Sequence, residues 1–177
     1  MFKSFIKSKK GLLLSSIIFI MFLILVLPYF AKLSEVQTNS SFSPDTGFFY
    51  SSNDFYQAME DYQESGRDFY ILMRWTFDVV WPFVYYVFFV SIIANLVATS
   101  NRKKERLFLL LPLFAVAMDF VENTFASINV GIYPLQSIFL LRVLQVASLL
   151  KWLLIIIVLF LILYLCIMRV IKSKKNG

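Results

Sequence analysis

Four long apolar runs divide the chain, with polar stretches between them. They occupy about residues 11–31, 78–100, 107–127 and 146–168. At about 1.5 Å of rise per residue, a helix of each length covers the ~30 Å hydrocarbon core of a bilayer. The pattern predicts an all-α membrane protein with four transmembrane helices in a single domain over residues 1–177. The third run is the least apolar, because Asp119, Glu122 and Asn123 interrupt it.

The connections are unequal. Residues 32–77 form a first loop too long for a plain turn. Its early part, rich in Ser, Asn, Pro and Gly, reads as irregular. Its later part, FYQAMEDYQES, reads as an amphipathic helix that Asn53 or Asp54 can cap. Phe55, Met59 and Tyr62 give that helix one apolar face, suited to the bilayer surface or to covering the bundle. Gly66 is expected to interrupt it, after which GRDFYILMRWTF leads into the second span. The second long loop, 128–145, holds Gly131 and Pro134. The segment after Pro134 is either a short interfacial helix or an early start to the fourth span.

Charge then orients the spans. Lys3, Lys7, Lys9 and Lys10 precede the first. Arg102, Lys103, Lys104 and Arg106 join the second and third, and Arg169, Lys172, Lys174 and Lys175 follow the fourth. These twelve of seventeen basic residues fall on one side, which the positive-inside rule assigns to the cytoplasm. The other side carries Glu35, Asp45, Asp54, Glu60, Asp61, Glu64 and Asp68 against Lys32, Arg67 and Arg74. Trp75, Trp81 and Trp152 fall near that outer interface, where indole rings prefer to sit. The reading is a multi-pass cell-membrane protein with cytoplasmic termini. Its first span, too long for a signal peptide and lacking an A-x-A site, is read as retained.

Composition narrows the chemistry. There is no histidine, and Cys166 is the single cysteine. A histidine-based triad, a disulfide and the usual zinc or haem sites are excluded. No cofactor or metal motif is visible, and no nucleic-acid motif accompanies the net charge of +6. Expected partners are membrane lipids, and either a protein partner or further copies of the chain. The Lys-, Ile- and Phe-rich usage points to a low-GC bacterium.

The candidate site is a cluster of polar groups in the outer half of the membrane. Asp119, Glu122 and Asn123 stand at i, i+3 and i+4 and so share one helix face. A charge at the middle of a lipid-facing helix costs at least ~2.5–3.5 kcal/mol, so that face should point into the bundle. Asp78, Pro82 and Tyr85 share a face of the second span. Pro82 has no N–H for the Asp78 carbonyl, which leaves an acceptor free. Tyr85 and Tyr86 reach the level of Asp119 by counting from the surface. Lys151 lies in the outer part of the fourth span, with Ser148 and Gln145 above it. Asp78, Asp119 and Glu122 are the expected acids, with Lys151, Arg142 and Arg67 as bases. One reading is an outward-facing pocket that suits proton transfer or cation binding. The other is a buried network that fixes helix register. Asn95, in the inner half, is expected to bond between helices.

Gly66-Arg67-x-x-Tyr70, Asp78 with Pro82 and Tyr85, Asp119-x-x-Glu122-Asn123 and Lys151-Trp152 together resemble a group of uncharacterised four-helix bacterial membrane proteins. The resemblance runs from about Phe55 to the end and implies a four-helix fold with a polar outer site, without an activity. The topology is also similar to that of claudins, but their outer loop needs a cysteine pair that this loop lacks. Three functions fit these features. The first is a protein that binds a lipid headgroup, small ligand or protein partner in the outer pocket. The second is an intramembrane enzyme acting on a lipid or isoprenoid, with Asp119 or Glu122 as acid–base group and Lys151 or Arg142 on a phosphate. The third is an oligomeric ion- or proton-coupled transporter, although no inverted repeat is visible.

Overall fold

A computed structural model describes residues 2–41, 43–44, 49–97 and 102–175. Asp45 and the end of the expected second span, residues 98–100, lie outside the described residues. Eight α-helices follow in order among the described residues. A short α1 (Phe2–Lys7) precedes α2 (Lys9–Met21) and α3 (Leu27–Thr38). Next come α4 (Ser52–Asp61), α5 (Gln63–Trp75) and α6 (Phe77–Leu96). The last two are α7 (Arg102–Gly131) and α8 (Ile138–Lys175).

These make four helices long and apolar enough to cross a membrane: Lys9–Thr38, Gln63–Leu96, Lys104–Gly131 and Ile138–Lys174. All four outrun their apolar cores, because a helix does not stop where hydrocarbon stops. The first passes through a π-turn at Phe22–Val26, where Leu27 N–H reaches back to the Phe22 carbonyl. This wider turn precedes Pro28, which has no N–H to give. The fourth starts at Ile138, so the early start is the form that the second loop takes.

α6 is the central span and packs on α2, α7 and α8. α7 also packs along α8. Between them Tyr85, Phe89, Ile93, Ala115, Val116 and Val158 form a buried cluster. Phe19 and Phe22 of the first span join it by stacking on Trp81. Lipid is as apolar as these side chains, so close packing rather than a hydrophobic effect holds this layer together.

One end of the bundle gathers both termini. Lys7 pairs with Glu105 at 2.6 Å. Asn95 donates from Nδ2 to the Ile6 carbonyl at 2.8 Å, and Arg169 donates to the Asn95 carbonyl at 2.9 Å. The three basic segments therefore meet at this terminal end. Asn95 does bond between helices, although its partner is α1 rather than another long span.

The far end is closed by α4. Ser51 caps this helix rather than Asn53 or Asp54. Its hydroxyl accepts from Asp54 N–H at 3.1 Å, and the Asp54 carboxylate accepts from Ser51 N–H at 2.8 Å. Asp54 is thus the third helical residue of a capping box, and those two bonds hold its carboxyl below the usual carboxylate range. The apolar face covers the bundle: Phe55, Met59 and Tyr62 are buried with Tyr70, Ala126, Val130, Leu141 and Leu144.

The chain breaks at other points than Gly66. Gln63, the first residue of α5, adopts φ 54°. Thr76 adopts φ −119° and ψ −81°, between α5 and α6. Gly66 lies inside α5, against the end of α3. A Cβ there would sit 3.1 Å from the Gln37 carbonyl oxygen and from Thr38 Cα. Glycine allows this close crossing, so it serves packing rather than interruption.

Candidate functional site

The polar face of α7 meets α6 and α8 inside the bundle. Lys151 donates a hydrogen bond to Glu122, and its Nζ lies 3.7 Å from Asp119 Oδ1. Tyr85 donates from its hydroxyl to Asp119 Oδ2 at 2.8 Å. Asn123 donates from Nδ2 to the Asp78 carbonyl at 3.0 Å. That carbonyl is the acceptor freed by Pro82, so three spans are tied together through one turn of α7.

The network is buried and closed. Asp119, Glu122 and Lys151 are 6%, 1% and 6% exposed, so they pack on one another instead of facing open space. The indole of Trp152 lies beside the same ammonium, 5.2 Å from its ring centre. Two carboxylates on one turn would repel each other, and Lys151 between them offsets this. Such a pair adds little over an apolar core of equal volume, but removing one partner strands a buried charge at about 3–5 kcal/mol. Its clearest physical consequence is therefore register: these spans can slide or rotate only by breaking it.

A second ion pair extends the network toward the far end. Arg74 reaches Asp78 at 2.7 Å across one turn and lies 4.6 Å above the Tyr70 ring. Both charged side chains are largely buried. The backbone break at Thr76 falls between them, so the pair also staples α5 to α6. The i, i+4 spacing of Arg74 and Asp78 was a usable sequence signal. Trp75 anchors the same region by donating to Ser127 Oγ at 2.9 Å.

Two expected bases lie elsewhere. Arg67 donates to the Met59 carbonyl at 2.8 Å and stacks 4.7 Å from the Tyr133 ring. It thus serves a carbonyl of the last turn of α4, which has no helical partner. Arg142 is exposed on α8 and donates to Gln145 Oε1 at 3.2 Å. Tyr86 is half-buried among apolar neighbours, while Tyr85 carries the hydrogen bond.

Arg142 borders a different feature. A groove of about 230 Å³ opens at the far end between the first loop and α8. Phe49, Tyr50, Arg142, Gln145, Val146 and Leu149 line it. Gln145 ties its two walls by donating to the Tyr50 carbonyl at 2.9 Å. Arg142 is the one cationic side chain among its lining residues, and Phe49, Val146 and Leu149 supply apolar walls. No protein-family model, curated protein or solved structure matches this chain.

Proposed function

We propose that this polytopic protein sits in the cell membrane with cytoplasmic termini and binds a ligand at its far, outward end. The Asp119–Lys151–Glu122 network is read as the brace that sets helix register, and the groove beside Arg142 as the binding face. The observation that carries this reading is the contrast between the two places. The acids close on Lys151 with almost no exposure, whereas the groove is open and bordered by a cation. Ligand sites are concave and mostly apolar with a few placed polar groups, and the groove has that make-up. The orientation is supported by the three basic segments, which meet at the terminal end through Lys7–Glu105 and Arg169–Asn95.

Photo-crosslinking in native membranes tests the function. A photoreactive amino acid at Leu149, on the groove wall, should capture an adduct of defined mass. Mass spectrometry of the adduct identifies its class. The same adduct should disappear in an Arg142→Gln background. A wild-type protein that yields no adduct from Leu149 would refute the groove as a binding face.

A further inference from the structure

α8 presents one continuous stripe to the outside. Phe139, Arg142, Val146, Leu153, Ile157 and Phe160 recur at spacings of three, four and seven, which keeps them on one face. All of these side chains are exposed, with Phe160 at 67%. Arg142 is the one charged residue on this stripe. Arg169 closes the apolar run at the terminal end, about 40 Å from Arg142 at 1.5 Å per residue. A bilayer is about 40–45 Å thick with its headgroup regions included, so Arg142 lies at headgroup depth on the far side when Arg169 lies at the near one.

Arg142 is also chemically open. Among the described residues its polar bond is to the Gln145 amide, and it forms no ion pair with a carboxylate. Its guanidinium has five N–H donors in a planar fork that suits phosphate oxygens. Gln145 holds the fork at the groove, and Tyr50 and Phe49 wall the side away from α8. Phe49 is 81% exposed, an apolar surface that hydrocarbon or a lipid backbone can cover.

We propose that the groove is a phospholipid site, with the phosphate diester on Arg142 and an acyl chain laid along Val146, Leu153 and Ile157. The occupant is a membrane lipid and not a free phosphate, because the apolar stripe continues without a break from the cation into the span. This rests on the groove being the binding face proposed above and names the ligand class.

Native mass spectrometry of the full-length protein, released from detergent, tests the proposal. Phosphatidylglycerol should remain bound as one retained adduct beyond the diffuse lipid background. Diacylglycerol with the same chains should not, and inorganic phosphate alone should not. Arg142→Gln should weaken phosphatidylglycerol retention about tenfold, the loss expected for a charge-assisted hydrogen bond. Arg142→Lys should fall between the two, since it keeps charge and loses the fork. Lys172→Gln, at the terminal end, should retain the lipid fully. Equal retention by Arg142→Gln and the wild type would overturn the proposal, and so would equal retention of diacylglycerol. Capture of a peptide instead of a lipid from Leu149 would overturn the lipid while leaving the groove as the binding face.

Discussion

Asn123 gives an amide N–H to the Asp78 carbonyl at 3.0 Å, the oxygen that Pro82 leaves without a helical donor. One span thus repairs a defect in another. A buried carbonyl without a partner costs about 1–3 kcal/mol, which is the expected loss for Asn123→Ala. The loss should shrink in a Pro82→Ala background, where the helix supplies its own N–H. Unfolding of the four variants in detergent, taken as a double-mutant cycle, measures this coupling. Equal losses in both backgrounds would contradict the repair.

Lys151 faces two carboxylates, so its removal should be more damaging than a typical substitution. Lys151→Met should destabilise by about 3–5 kcal/mol, because Asp119 and Glu122 then share a buried site without a cation. Adding Asp119→Asn and Glu122→Gln removes that repulsion. The triple variant should recover most of the loss in thermal unfolding. A triple variant as unstable as Lys151→Met alone would show that volume, not charge, dominates.

Asp54 gives the capping box a pH dependence. Its folded carboxyl lies below the ordinary carboxylate value, chiefly through the Ser51 backbone bond. A depressed folded value means stabilisation that is present above the unfolded value of about 3.9 and lost as pH falls through the folded one. Amide exchange at Asp54 and Phe55 should therefore be slow at pH 6 and accelerate below about pH 4, relative to its intrinsic rate. Asp54→Asn should remove the step.

Gly66 should resist enlargement although it is helical and has an ordinary φ. Gly66→Ala brings a Cβ within 3.1 Å of Gln37 O and Thr38 Cα, and both are backbone atoms. Small-to-large changes in such contacts cost about 1–3 kcal/mol. Gly66→Leu should cost more than Gly66→Ala. A cysteine pair across α3 and α5 should then crosslink more slowly in the leucine variant.

Much of this arrangement was legible in the chain. Apolar run length gave four spans. The i, i+3, i+4 spacing placed Asp119, Glu122 and Asn123 on one inward face, and Pro82 flagged the orphaned Asp78 carbonyl. Depth counting brought Lys151 to the level of the acids. Arg142 and Arg67 were expected as further bases of the same cluster, and the structure gives each another partner. Arg142 stands nine residues before Lys151 on α8 and bonds Gln145. Arg67 answers a local need, the last turn of α4, that appears only once α4 and α5 are folded together. Gly66 was misread because glycine breaks helices in water, whereas here it admits the end of α3.

The brace-and-groove account is tested most directly by matching two folded variants for ligand retention. One is Arg142→Gln, which alters the groove and leaves the buried network intact. The other is Lys151→Met with Glu122→Gln, which removes one buried cation and one buried anion and leaves the groove intact. Both are purified from membranes, checked for cooperative unfolding, and analysed for co-purifying ligand by mass spectrometry. The account predicts that the groove variant loses the ligand and the network variant keeps it. Loss from a folded network variant, with retention by Arg142→Gln, would contradict the account and place the binding site at Asp119, Glu122 and Lys151.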